Sequence, residues 1–564
     1  MYHAHKLTRS HFKFKDSIMA FQFSPPSWDL NSARHLLART EFSVDETRVQ
    51  SLAEMTIEGA VESILAQIHT APQPPPPNWI VEPWVNTERS FSDTTPDEFR
   101  KMHGSTNGRY SREITDLRRW WLQEMVSTQT PFREVMTLFW HGHFASSIGK
   151  VLVSQAMFHQ NEKHRKHCIG NFRTLLREMT MDPAMMIYLD LEDSDQTKPN
   201  ENYARELYEL FALGIGNYSQ SDIMETARAI SGLVLDAPPG VPKPTRISEP
   251  ETNRRFTRDG ITTRLEPSLH DDGVKSVLGR KGNLGVDEIV DIACEQKACG
   301  DFLSAKLIAY FGAVDNGNAL RDRMSTAFRK SGFEISSMLR VLFTSPEFYS
   351  DESRLRLIKS PLVLVVGAAR QLSLGLEPTS GLFRYLAALG QEMFNPPNVK
   401  GWPGGESWIG AGTLALRYHF ADIVLESKEP PGMDSMGRSR GRPIPLPKDP
   451  VERKAMLQRL SGPRAPGDAG MMDGEPEGEG GRRGRGPTGP AFQVAFAPDR
   501  LLGDGVPAST DAIVAGVTAK MLTISPCEEL RIAAYQAADR FSSPEEKVKA
   551  VVRLILTSPE YQLC

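Results

Sequence analysis

The chain of 564 residues is 40% hydrophobic and 24% charged, with a formal net charge of -4. That length suits about two to four compact units of ordinary globular composition, and without a basic excess neither nucleic acid nor an anionic membrane surface is indicated as a partner. No window approaches the roughly 18 apolar residues of a membrane span, and the five scattered cysteines, lacking a C-x-x-C pair, read as free thiols of a reducing compartment.

Residues 1–27 hold basic positions but no apolar run of signal-peptide length, so the expectation is a cytoplasmic protein with a poorly ordered N-terminal extension in which Met19 is an alternative start. Residues 28–235 read as a helical region. Asp29 to Met55 places Ala33, Leu36 and Leu37 on one side of the first of two short helices, PQPPPPNW within residues 71–100 reads as a surface connection, and Ile114 to Met125 is helical. Thr130 and Pro131 supply an N-cap and a first-turn proline to a helix that carries Phe132, Val135, Met136, Phe139 and Trp140 into WHGHF.

His141 and His143 flank a glycine at that helix end. An extended exit at Gly142 puts both imidazoles on one face, where they can share a metal, whereas a continuous helix sets them about 200° apart. The plainer alternative packs His143 beneath Trp140 and leaves His141 solvated. His159, His164 and His167 stand among Lys163, Arg165 and Lys166 and read as a solvated helix face. Helices follow from Asn171 to Met179 and from Asp182 to Leu191, the second with Asp182 as cap and Pro183 at its first position.

The most informative stretch runs from Asn200 to Gly232. At about 100° per residue Tyr203, Leu207, Leu210, Phe211 and Leu213 share an arc; Glu206 falls inside it, Asn202 and Glu209 lie along its edge, and Arg205 points away. A carboxylate facing a core must be neutral, paired or metal-bound. The Asn202, Glu206 and Glu209 stripe is therefore the leading candidate site, against the alternative of a buried ion pair between Glu206 and an arginine such as Arg228. Ser219 and Asp222 form a candidate capping box for the helix that reaches Gly232.

Residues 236–285 form a loop region that ends in LHDDGVKSVLGRKGN, where His270, Asp271 and Asp272, followed by Gly273 and Lys275, offer metal ligands or a base with its orienting partner, or simply an Asx turn. Residues 286–427 read as a second helical region that closes in FNPPNVKGWPGGESWIG, whose Trp402 and Trp408 can stack on a sugar or plug a gap between helices. Gly/Pro-rich residues 428–510, with EPEGEG beside GRRGRG, predict a largely disordered insert, and residues 511–564 predict helices that pack back on the body. RVLFTSPEFY and RLILTSPEYQ repeat one pattern, matching Ile335, Met338, Leu339 and Leu342 to Val548, Val551, Val552 and Ile555, which suggests two related helical subdomains.

HLLART-F at 35–42, TLFWHGHFA at 137–145, GNFRTLLREM at 170–179, PNENYARELYELFALGIGNYSQSDI at 199–223, HDDGVKSVLG at 270–279, NPPNVKGWPGG at 395–405 and TSPEYQL at 557–563 resemble the bacterial domain-of-unknown-function 1800 family, in the form common in planctomycetes. The resemblance implies motif positions at His141, His143, Asn202, Arg205, Glu206, Glu209, His270 and Asp271. It also implies a partner similar to sulfatases and alkaline phosphatases, encoded nearby; many relatives look exported, whereas this sequence shows no signal. Ser43 stands where the family usually has glycine.

The expected fold is mainly α, a multi-helix bundle-like body with long irregular loops and one disordered insert. Two functional readings follow. In the first, His141, His143, Glu206, His270 and Asp271 hold a divalent metal whose water attacks a hydrolysable bond, with Glu209 as general base, Arg205 or Lys275 holding an anion, and Asn202, Trp402 and Trp408 touching substrate. In the second, the same polar groups form a buried network of a non-catalytic assembly protein that works with the sulfatase-like partner.

Overall fold

Helix starts follow the capping chemistry of the sequence. Asp29 accepts from the Ser32 amide to open Leu30–Thr40, Asp182 accepts from Met185 ahead of Pro183–Tyr188, and Asn200 accepts from Asn202 at the start of Glu201–Glu206. Ser219 and Asp222 form a reciprocal capping box for Gln220–Ala229. Pro131 opens Pro131–His143, although Thr130 before it makes no side-chain cap bond.

The computed structural model describes residues 28–81, 96–151, 153–236, 262–427, 493–502 and 505–564. The predicted N-terminal extension, the Pro-rich stretch 237–261 and residues 428–492 of the predicted insert lie outside the described residues. The protein is mainly α, and one continuous core runs from Ala33 to Tyr561. Strands enter only as two-stranded antiparallel ladders among the described residues: Leu233–Asp236 with Thr262–Leu265, Lys275–Val277 with Arg280–Gly282, and Gly375–Glu377 with Gln493–Ala495. The last strand also lies against the Ala411–Glu426 helix, and Pro498–Leu502 is helical, so the C-terminal end of the 428–510 stretch is ordered structure.

Pro131–His143 is the central element. It packs on Ser154–Lys166, on the N-terminal helices and on Pro96–Ser127, and all but one of its residues are buried. Its Glu134 receives a bidentate contact from Arg165, Nε to Oε1 at 2.7 Å and a terminal nitrogen to Oε2 at 2.9 Å, plus the Trp121 indole at 2.9 Å. Burial alone would raise the Glu134 carboxyl, yet these donors hold it below its ordinary range. Arg165 and His164 are thus interior, contrary to the solvated face expected for this stretch, because one charge on each helix neutralises the other.

The repeated pattern marks two equivalent burial faces. Ile335–Phe343 is the last of three consecutive contacting helices, after Lys297–Phe311 and Ala319–Lys330, and Pro544–Thr557 closes the set with Thr510–Met521 and Glu528–Ala538. All eight matched positions, Ile335, Met338, Leu339, Leu342, Val548, Val551, Val552 and Ile555, are fully buried.

Candidate functional site

The carboxylate helix changes its winding where the candidate residues sit. Glu201–Glu206 is α-helical, Leu207–Ala212 continues as a π-helix, and the amides of Leu213 and Gly214 both bond to the Tyr208 carbonyl at 2.9 Å. A π turn holds more residues than an α turn, so the positions past Glu206 fall behind a 100° wheel. Tyr208, which the wheel leaves off the apolar arc, is fully buried, and Leu210 is only partly so.

The wider turn also frees carbonyls at its end, and two side chains from other elements take them. His143 Nε2 donates to Phe211 O at 3.0 Å; Lys306 Nζ donates to Leu210 O at 3.0 Å and to His143 Nδ1 at 3.2 Å. This fixes the neutral His143 tautomer with its proton on Nε2. Burial, then the nearby Lys306 charge, hold the imidazole well below its ordinary pKa, while burial brings Lys306 down to about 8. The sequence signal for Lys306 is one cation inside the apolar run FLSAKLIAYF.

Outside this clamp stand two carboxylates, Glu206 at the last α-helical position and Glu209 in the π segment. Glu206 is half-buried, and no hydrogen bond or ion pair engages it among the described residues. Burial first, then the Glu209 carboxylate, push its carboxyl above the ordinary value against the pull of Lys400 and Arg205. Glu209 accepts a 3.5 Å contact from the Tyr218 hydroxyl and lies 4.0 Å from Lys400 Nζ. Tyr188 also lies near Glu206, its hydroxyl raised by burial and then by that carboxylate, with Lys150 Nζ 5.8 Å from its ring centre. Asn202 is exposed at the end of this stripe and donates to Leu189 O at 3.1 Å. Lys400, Tyr188 and Tyr218 had not been singled out from sequence.

Lys400 arrives on the NPPNVKGWPGG loop, which is seated directly on the WHGHF helix. Gly401 has φ 81°, and a Cβ there would collide with the Gly142 carbonyl oxygen, so only glycine fits both the torsion and the approach. Phe394 O accepts from the Ile148 amide at 2.9 Å, and Asn395 bonds Ser147. Trp402 of this loop lies 5.4 Å from His141 between ring centres, half-buried. Trp408 is 5% exposed and packs over Gly390, filling a gap between elements.

The five residues assigned to a divalent metal do not assemble. The helix runs unbroken through Gly142, so His141 and His143 diverge: His141 lies among Trp121, Phe394 and Trp402, and both nitrogens of His143 are engaged as above. His270 Nδ1 contacts Ser231 O at 2.9 Å. Asp271 takes a bidentate contact from Arg228 at 2.7 and 3.1 Å and accepts the Gly273 amide at 2.8 Å as an Asx turn; the Arg228 guanidinium holds its carboxyl below the ordinary range. Among the described residues, no group of three or more His, Cys, Asp or Glu side chains stands where it can hold a metal ion.

The anion holders are committed as well. Lys275 is fully buried, bonding Asp271 O and, at 3.1 Å, Asn283 Oδ1, and Arg205 pairs with Glu201 at 3.2 Å and Gln220 at 3.0 Å. Arg228, the arginine weighed as a partner for Glu206, also binds Glu225, so the Glu206 carboxylate stays unpaired. No helix among the described residues is long and apolar enough to cross a membrane.

Neither a curated protein nor a solved structure matches the chain. A family model described as "Protein of unknown function (DUF1800)" matches residues 35–563, which spans the WHGHF helix, the π segment and the glycine loop seated between them. The chain belongs to the DUF1800 family of proteins of unknown function.

Proposed function

We propose that the protein is a hydrolase that works by carboxyl–carboxylate acid–base catalysis at Glu206 and Glu209, with an uncharged, hydroxyl-rich substrate of the glycoside type. The observation that carries this reading is the unpaired, half-buried Glu206 beside Glu209, its carboxyl raised by burial and by that neighbour. A carboxyl raised by its surroundings and set beside a second carboxyl is suited to act as the acid of an acid–base pair. Glu206 keeps its proton to higher pH and serves as general acid toward a leaving oxygen, and Glu209, next to Lys400 and Tyr218, serves as base or nucleophile. Tyr188, Tyr218 and Trp402 offer aromatic faces at the rim, and Asn202 and Lys400 offer donors. An anionic substrate would meet two acidic groups and one exposed lysine, which disfavours phosphate and sulfate esters.

A panel of chromogenic glycosides, with carboxylate, phosphate and sulfate esters alongside, tests the reading. Glu206→Gln and Glu209→Gln are each expected to lower kcat by about 10²–10⁴-fold at unchanged melting temperature. Loss of the general acid should also remove the alkaline limb of the pH profile. Full activity in both variants, or no hydrolysis of any glycoside, would sink it.

The assembly reading has one observation of its own. The HDDG loop is locked by the Arg228–Asp271 pair and by buried Lys275, as a scaffold motif would be. That reading requires stable capture of the sulfatase-like partner by wild-type protein and by Glu206→Gln alike.

A further inference from the structure

Beside the Glu206 and Glu209 pair the chain makes a turn whose choice of residue is not explained by stability. The Pro183–Tyr188 helix ends at Leu189, and the next residue, Asp190, sits in the left-handed region at φ 57°. Helices commonly stop on such a residue, and glycine or asparagine is the usual occupant because a Cβ is strained there. Aspartate keeps the strain and adds a carboxylate. That carboxylate pairs with Lys150 at 2.8 Å, but the two side chains are 47% and 45% exposed, and an ion pair so exposed contributes little to stability. A local rule broken without a stabilising return marks a residue kept for contact with a ligand.

The turn is fastened to the carboxylate helix itself. Asn200 Nδ2 donates to Asp190 O at 2.7 Å and Asn202 Nδ2 to Leu189 O at 3.1 Å, so side chains at the start of Glu201–Glu206 hold the strained segment in place. Asn202 lies one helical turn before Glu206, which sets Tyr188 and Asp190 at the Glu206 end of the pair. Lys400 and Tyr218 stand instead at Glu209, at 4.0 and 3.5 Å. The two carboxyls therefore have different walls. Tyr188 is half-buried, with Lys150 Nζ 5.8 Å from its ring centre. With Lys150 neutralised by Asp190, the wall at Glu206 combines an aromatic ring, a donor and an acceptor with no net charge. Such a surface suits a sugar ring, which lays its C–H face on the aromatic ring and turns its hydroxyls to the polar groups.

We infer that Tyr188, Asp190 and Lys150 form the subsite for the leaving group, and that this leaving group is a second, uncharged sugar unit, so that the substrate is an oligo- or polysaccharide. The inference rests on the reading of Glu206 as the general acid. An acid that protonates the departing oxygen stands on the side of the departing fragment, so the wall at Glu206 receives that fragment and the wall at Glu209 the retained sugar. One glycosidic C–O bond breaks, the departing oxygen takes the Glu206 proton, and water supplies the hydroxyl on the retained sugar and returns one proton to the carboxyl pair. Asp190 and Lys150 bind hydroxyls and take no part in the proton transfer.

The experiment has a binding arm and a hydrolysis arm, both on the full chain. Cellotetraose, xylotetraose, maltotetraose, laminaritetraose and chitotetraose are titrated calorimetrically into Glu206→Gln, alone and combined with Asp190→Gly or Tyr188→Ala. Each is also compared, as a substrate of the wild type and of Asp190→Gly, with the 4-nitrophenyl glycoside of its repeating sugar. At least one tetrasaccharide is expected to bind, at least tenfold more weakly in either double variant. The ratio of its kcat/KM to that of the nitrophenyl glycoside is expected to fall at least tenfold in Asp190→Gly. Glycine relieves the strain at φ 57°, so Asp190→Gly is expected to melt no lower than the wild type, the reverse of what a merely structural aspartate would give. Failure of all five to bind, binding that neither variant weakens, or a lower melting temperature in Asp190→Gly overturns the subsite; glycoside hydrolysis that persists then leaves the acid–base reading standing. Binding that both variants weaken, without hydrolysis of any glycoside, sinks the acid–base reading and supports the wall as a saccharide site.

Discussion

Gly401 shows how much can rest on a missing methyl group. Its φ of 81° is a region that L side chains occupy at a cost of about 1–2 kcal/mol, and the Gly142 carbonyl oxygen fills the space a Cβ would need. Alanine there must push the NPPNVKGWPGG loop off the WHGHF helix, carrying Lys400 and Trp402 with it. Gly401→Ala is expected to lose more than about 2 kcal/mol of stability and to raise KM for whatever the Glu206 and Glu209 pair binds. Urea unfolding checks the first effect. Glycine 404, also at positive φ but with open space around a Cβ, is the control that should lose less.

At the scale of the element, the π segment persists because its freed carbonyls are claimed from outside. Lys306 and His143 supply those donors from two other helices, Lys297–Phe311 and Pro131–His143. Lys306→Met removes one donor and leaves His143 Nδ1 and Leu210 O bare, each costing about 1–3 kcal/mol if buried and unanswered, partly offset by a buried charge that no longer needs solvation. The expected result is a modest stability loss with a large fall in kcat and a shifted alkaline limb, since the winding that sets Glu206 beside Glu209 relaxes. Unchanged kcat in the folded variant would show that the clamp does not position the carboxylates. This winding was not legible in the sequence. A 100° wheel correctly puts Tyr203, Leu207 and Phe211 inside and Glu209 at the edge, yet it sets Glu206, which is half-buried, inside the arc and leaves the buried Tyr208 out, because nothing local announces a π turn. The donors that sustain it come from residues far along the chain, and a local pattern cannot encode them.

Across the whole molecule, four buried histidines set an acid limit. His35 and His141 are held down at about 3, His143 and His164 well below their ordinary value, burial being the first cause in each. Their folded-state pKa values lie below the unfolded value near 6.5, so their contribution is present above that pH and is lost as pH falls, because the unfolded chain takes up protons the folded one refuses. Glu41, pushed up to about 7 by burial, acts in the opposite sense by one proton. The balance of about three protons predicts a slope on the order of 4 kcal/mol per pH unit near pH 5.5. Urea unfolding at pH 7.5, 6.5 and 5.5 measures it, and a flat profile would mean that these rings titrate in place. The mainly α character was readable from helical periodicity, and cap signals at Asp182 and Ser219 were accurate because capping is local. The burial of His164 and Arg165 was not, since Arg165 is neutralised by Glu134 on a neighbouring helix and the sequence around it is strongly polar.

The pairing of Gln493–Ala495 with Gly375–Glu377, against the Ala411–Glu426 helix, returns the chain to the helix it left at residue 427. Residues 428–492 therefore begin and end on neighbouring parts of one body. Loop-closure entropy grows only with the logarithm of length, so exchanging that stretch for a linker of about ten residues changes the closure cost by on the order of 1–2 kcal/mol, in the favourable direction. The position is a port for engineering: a reporter, a purification handle or a fused domain can be carried between two ends that rest on the same body.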